Sequence, residues 1–152
     1  MEQKTVLELF DRYGDAVYRV ALGFLRSQQE AEDAVQTVFL RLLERDIQAY
    51  PGKERALLTK MTVNHCKNVL SRAKRHDIVP LDETVLLAQP EDREVFRAVM
   101  ELPERYRAVV CLHYFEGYSF QEIAQLLHIS PSAVSMRLYR ARSTLKQQVG
   151  RY

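Results

Sequence analysis

Between Ser119 and Lys146 the sequence specifies two helices and marks their boundaries. Ser119 stands three residues before Glu122, just ahead of an apolar run. In that arrangement the hydroxyl and the carboxylate each satisfy an orphan N–H at a helix start. Ile123, Ala124, Leu126 and Leu127 then recur at helical spacing. The period stops near His128 and Ile129, where Ser130 can cap a second helix. Pro131 suits that helix's first position, where a missing N–H costs nothing. Val134, Leu138, Ala141 and Leu145 put one apolar stripe on it. Ser132, Ser135, Met136, Arg137, Tyr139, Arg140, Arg142 and Lys146 fall elsewhere on the same helix.

Two short capped helices in series fit either an ordinary αα corner with a solvated face or a helix-turn-helix. The charge favours the second. From Ile129 to Tyr152 there are five Lys/Arg residues and no Asp or Glu, whereas a solvated face usually mixes signs. A basic second helix with hydroxyls near its start is the layout that enters a major groove.

The 152 residues suit one or two small domains, and 47% hydrophobic content is enough for real cores. A net charge of +2 gives no global basic field, but its distribution is informative. Residues 55–76 carry six basic groups and no acid, and residues 77–90 carry three acids and no base. Two basic segments divided by an acidic one suggest two nucleic-acid contacts. Cys66 and Cys111 lie in apolar helical patterns outside any C-x-x-C pair, as reduced thiols of a cytoplasmic protein would. His65, His76, His113 and His128 lack ligand spacing, so no metal site is expected, and no cofactor is expected either. No apolar run approaches the ~20 residues of a membrane span, and no N-terminal signal is visible. With only five Gly and no alternating strand pattern, the expected fold class is all-α.

The first long helix is expected over Thr5–Leu25, opened by a Thr5/Glu8 capping box. Its apolar face is Leu9, Phe10, Tyr13, Val17, Val20, Ala21, Phe24 and Leu25. Ser27 and Glu30 open the second, with Ala31, Ala34, Val35, Val38, Phe39 and Leu42 inward and Leu43 alongside. Its outer face carries Glu32, Asp33, Gln36, Thr37 and Arg41. Pro51-Gly52 breaks the period, leaving Ile47 and Tyr50 on a loop as core anchors or partner contacts. A third helix runs from Glu54 to Arg75 and sets Asn64 and Asn68 one turn apart, near Lys60, Lys67, Ser71 and Arg72. Asn is a poor helix former, so these two either bond a neighbouring loop or read bases. Residues 77–90 read as a linker, followed by a short helix over Glu91–Glu101. Another helix starts with Pro103 at its first position and stops at Gly117.

The order of these motifs resembles the extracytoplasmic-function (ECF) group of bacterial sigma factors. Leu102–Arg142 looks like that family's C-terminal promoter-binding domain, and Glu30–Leu43 resembles the helix that grips the clamp of core RNA polymerase. Leu57–Arg75 is similar to the helix that meets the downstream (minus-10) promoter element. The resemblance implies two small helical domains, residues 1–76 and 91–152, joined by the linker, the second a helix-turn-helix domain. It implies core RNA polymerase, promoter DNA and an anti-sigma protein as partners, with no catalytic residue and no membrane insertion. Glu32, Asp33 and Gln36 would meet the polymerase clamp. Tyr50, Lys60, Asn64, Lys67, Asn68 and Arg72 would meet the downstream element, with Tyr50 the stacking group by chemistry. Ser132, Ser135, Met136, Arg137, Tyr139, Arg140 and Arg142 would meet the upstream (minus-35) element.

Some positions depart from the family pattern. Thr37 stands where Glu is frequent, Leu57 where Trp is frequent, His128 where Gly is usual and Ser135 where a basic residue is frequent. Two other classes compete. A DNA-binding regulator that works without polymerase would leave Glu32, Asp33 and Gln36 idle. An enzyme would need a paired-carboxylate cleft, an activated nucleophile or a phosphate-binding Gly loop, and the sequence has none of these signatures.

Overall fold

The computed structural model describes residues 1–72 and 90–149. They form seven α-helices with no strand among them, in two compact units divided between Val79 and Pro80. Residues 73–89 lie outside the described set. With them lie the expected linker apart from Pro90, and the expected last turn of the third helix.

The first unit holds α1 (Gln3–Leu25), α2 (Gln28–Glu44) and α3 (Glu54–Arg72). Helix α1 starts at Gln3, two residues before the Thr5/Glu8 box expected to open it. Glu2 takes the cap position without a side-chain bond, and its carbonyl accepts from the Val6 N–H at 3.0 Å. Met1 packs against the unit's core, so the chain is already held at that point and the helix propagates past Thr5. At the other end Arg26 adopts a left-handed conformation (φ 52°) and its N–H donates to the Leu22 carbonyl. Ser27 follows at once as the cap of α2, its Oγ accepting from the Glu30 N–H at 3.2 Å. Two residues therefore join the helices, which fold back on each other as an αα-hairpin.

Helix α3 closes a three-helix core of Val6, Leu9, Val17, Val38, Phe39, Leu42 and Leu58. Each such side chain contributes roughly 1.5–3 kcal/mol by leaving water. Two residues expected on the inward faces are exposed instead. Phe10 is 47% exposed and meets Phe39 edge-on at 5.2 Å, and Leu43 is exposed on the same side.

The second unit holds α4 (Pro90–Met100), α5 (Glu104–Val110), α6 (Phe120–Leu127) and α7 (Pro131–Val149). Pro90, counted with the linker from sequence, is the first residue of α4, where a proline lacks nothing. Pro103 caps α5 with extended ψ (146°) instead of lying inside it. The long helix expected up to Gly117 changes character at Cys111: residues Cys111–Phe115 form a π turn, and the Glu116 N–H reaches back to the Cys111 carbonyl at 3.1 Å. Gly117 (φ 76°) then ends it, with the Tyr118 N–H on the Leu112 carbonyl at 3.0 Å. Arg107 and Glu116 are buried beside the Cys111 thiol, their opposite charges acting on it in opposite senses. Burial wins and raises the thiol to about 12, so Cys111 stays a neutral core group. Cys66 is likewise a buried free thiol.

Candidate nucleic-acid interface

On α3 the local sequence sorts buried from displayed side chains cleanly. Leu58, Thr59, Thr62, Val63 and Cys66 face inward, and the Thr62 hydroxyl donates to the Leu58 carbonyl at 2.6 Å. Lys60, Asn64, Asn68 and Arg72 are exposed on the other side. Lys67 is half-buried on the same side, and burial lowers its pKa. Among the described residues, neither the Asn64 nor the Asn68 amide has a hydrogen-bond partner. That leaves the structural explanation of the pair without its bonds.

The loop before α3 resolves the two readings of its apolar groups. Ile47 packs against the core, whereas Tyr50 is 68% exposed. Tyr50 to Lys53 forms a turn closed by the Lys53 N–H on the Tyr50 carbonyl at 2.9 Å. Pro51 and Gly52 (φ 82°) occupy the central positions of a type II turn, where the positive φ favours glycine. The Glu54 carboxylate accepts from the Gly52 N–H at 3.1 and 3.2 Å, locking the turn to the start of α3. The turn thereby sets the exposed Tyr50 just ahead of the helix carrying the asparagines.

Helix α2 exposes Glu32, Asp33 and Gln36 together, away from the core. His65 of α3 lies within the field of this helix. Burial lowers its pKa, Arg41 lowers it further, and Asp33 opposes them. Leu40, one turn beyond Gln36, is 51% exposed. Sequence reasoning missed it, although an apolar residue out of phase with the inward stripe was a readable signal.

In the second unit the capping box forms in full: the Glu122 N–H donates to Ser119 Oγ at 3.1 Å and the Ser119 N–H to Glu122 Oε1 at 2.9 Å. His128 ends α6 in the left-handed region (φ 57°), and Ser130 Oγ accepts from the Ala133 N–H at 3.1 Å to start α7. A three-residue turn thus fixes the angle between α6 and α7. A side chain at positive φ costs ~1–2 kcal/mol, part of which glycine returns as chain entropy. His128→Gly should therefore stabilise the second unit by about 0.5–1 kcal/mol, read as a higher midpoint in thermal unfolding.

Val134, Leu138 and Ala141 of α7 are buried. Its outer ridge is Ser132, Met136 and Tyr139, with Ser135 beside it, all exposed, and Arg137 is half-buried. Two of the arginines expected to meet the upstream element, Arg140 and Arg142, do not share a side. A 3.6-residue period puts Arg140 and Arg142 about 160° apart around the helix. Arg142 turns back over the Tyr114 ring, 5.4 Å from its centroid, and its Nε donates to the Tyr114 hydroxyl. There it edges an apolar groove floored by Val95, Val99, Val110 and Leu145. His113 braces the same turn: its Nδ1 donates to the Tyr118 carbonyl at 2.8 Å, and its ring packs 5.0 Å from Phe120.

Each unit thus presents one polar or basic helix face, on α3 and on α7, and the first adds a separate acidic face on α2. Comparisons with known proteins match that division. Residues 9–76 match the Sigma-70 region 2 family and residues 92–145 match Sigma-70, region 4. The chain is 31% identical over 150 residues to the ECF RNA polymerase sigma factor SigM of Mycobacterium tuberculosis, covering 94% of this chain and 76% of that one. It is 27% identical over 139 residues to the RNA polymerase sigma factor SigV of Bacillus subtilis, covering 87% and 83%. Among solved structures, the sigma factor RpoE bound to the anti-sigma factor NepR, from Bartonella quintana, shares the fold at a TM-score of 0.70 and 15% identity, over 97% of this chain and 98% of that one. CnrH in complex with the cytosolic domain of CnrY does so at 0.65 and 24%, over 98% and 90%. The two-unit helical fold with its region 2 and region 4 matches defines a sigma factor of the Sigma-70 type. Within that class, the chain belongs to the ECF group.

Proposed function

We propose that this protein binds core RNA polymerase and directs it to promoters by contacting two DNA elements, one with each unit. The observation that carries the reading is the matched pair of sigma regions, in order, each on a unit with an exposed polar helix face. Asp33 and Gln36, with Glu32 beside them, contact the polymerase clamp, and Leu40 adds an apolar contact one turn on. Tyr50 stacks on an unstacked base of the downstream element, which must recover an unstacking cost of a few kcal/mol. Asn64 and Asn68 read base edges there, while Lys60, Lys67 and Arg72 hold phosphates. Ser132, Ser135, Met136, Tyr139 and Arg140 face the upstream element. Arg137 lies at that margin, and Arg142 supports the helix from its other flank.

The mechanism requires no bond chemistry and no cofactor. Each contact alone is weak, and joining the two on polymerase makes the second effectively intramolecular. The protein works in the cytoplasm, where polymerase and DNA are. An anti-sigma protein that covers the polymerase-binding surface holds it inactive. This partner is inferred from the family and from the structurally similar sigma factor RpoE, co-crystallised with the anti-sigma factor NepR.

The test is transcription by bacterial core RNA polymerase on genomic fragments, with wild-type protein and Asp33→Lys. The wild type should give discrete start sites. The charge reversal should weaken association with core at least about tenfold, a typical cost of placing like charges across an interface. A wild-type protein that binds DNA but not core would sink the proposal in favour of a polymerase-independent regulator.

A further inference from the structure

We infer that Arg105, Tyr106 and Arg140 together grip a phosphate of the DNA backbone beside α7, a contact that the helix-turn-helix alone does not supply. The inference rests on the reading of α7 as the helix that meets promoter DNA, and extends the site onto α5.

Arg105 and Tyr106 lie at the start of α5, far in sequence from α7. Arg105 is exposed but folds back along its neighbour. Its guanidinium lies 4.9 Å from the centre of the Tyr106 ring, and its Nη2 donates to the Tyr106 hydroxyl at 3.2 Å. Helix α7 packs against α5, and Arg140 acts on the same hydroxyl from there: the two guanidinium groups, Arg105 first, pull the phenol below its usual 10.0. One oxygen thus holds the first cation and lies in the field of the second.

The arrangement has an excess of donors and of positive charge. A guanidinium carries five N–H donors, and a phenol oxygen can accept only one or two bonds. Among the described residues neither arginine has a carboxylate partner. Two cations converging on one neutral acceptor repel each other, and an anion bridging them would remove that cost. Phosphate oxygens fit the planar, forked donors of two arginines, and stacking on an aromatic ring leaves such donors pre-aimed.

The position of Arg140 says which phosphate. Arg140 flanks the exposed ridge of Ser132, Met136 and Tyr139, on the side away from Arg142. When a helix lies in a major groove its ridge meets base edges and its flanks meet the phosphate rows. Backbone contacts of this kind fix register and affinity without reading sequence. Tyr106 is here a positioning residue, and the two arginines bind.

The test uses the full-length protein on core polymerase, with a duplex selected by the wild-type holoenzyme from a random-sequence pool, and with an unselected duplex. Affinity is measured across a series of salt concentrations. Arg105→Ala should weaken both duplexes by a similar factor, about tenfold, and reduce the slope of log affinity against log salt by about 1. Arg105→Lys should keep the slope, because the charge remains. Tyr106→Phe should lower affinity severalfold with the slope unchanged, which loss of a charge contact cannot do. An Arg105→Ala protein with wild-type slope and affinity overturns the phosphate grip. So does one whose loss lies in binding to core polymerase, since the cluster would then face protein. A wild-type holoenzyme that binds neither duplex removes the DNA reading of α7 itself, an outcome separate from these two.

Discussion

Leu138→Ala should unfold the second unit at physiological temperature while leaving the first unit folded. Leu138 is 2% exposed, between Val134 and Ala141 on the stripe by which α7 packs against α4, α5 and α6. Truncating such a leucine costs about 2–5 kcal/mol in lost transfer energy and cavity. At ~0.05–0.15 kcal/mol per residue, a unit of this size has only about 3–9 kcal/mol to lose. In a domain this small each kcal/mol moves the midpoint by roughly 4–8 °C, so calorimetry should show one transition falling by at least about 10 °C. Among the described residues the buried core of the first unit comes from α1, α2 and α3, and its transition should stay in place. Binding to core polymerase should persist and upstream-element recognition should vanish, a larger loss than any single surface substitution on α7 gives. A shift of only a degree or two would mean that the helix pair is held by its turn and caps more than by its stripe.

The residues that were legible in the sequence are those whose structure is decided within one turn of helix. Ser119 and Glu122 announced a cap that forms with both bonds, and Ser27, Ser130, Pro131 and Gly117 announced boundaries that the chain obeys. The same signature misled at Thr5, because packing of Met1 one turn earlier outweighs a local cap. Periodicity put Phe10 in the core because it records the phase of a stripe, not its width. The neighbouring helix covers only part of that stripe, and Phe10 stays at its rim. The π turn at Cys111 was invisible, since one extra residue per turn changes no residue type. Arg142 shows the deepest limit. Its partner Tyr114 is 28 residues away, and nothing in the local pattern says that the two meet. Arg105 was passed over for the same reason: only the fold brings α5 beside Arg140.

Replacing Asn64 and Asn68 together by alanine should make the protein more stable and much less active. Both side chains are exposed on α3, and among the described residues neither amide is hydrogen-bonded, so no such bond is lost there. Alanine is the better helix former by a few tenths of a kcal/mol per position, so the first unit should melt slightly higher. If the amides instead read the edges of promoter bases, each forfeits about 1–3 kcal/mol of discrimination, and the pair should cost promoter opening at least about thirtyfold. Binding to core polymerase should be unchanged, because Asp33 and Gln36, the residues proposed to meet the clamp, stand on α2. The measurement is a thermal midpoint, a core-binding affinity and a permanganate footprint of the melted strand, all on one variant. Opposite signs for stability and opening are what a site residue held at a structural cost produces. A variant that opens promoters normally would assign the face of α3 to phosphate contacts alone, leaving Tyr50 as the base-capturing group in that unit. A variant that lost stability and activity in parallel would place the asparagines in the fold and overturn their assignment to DNA.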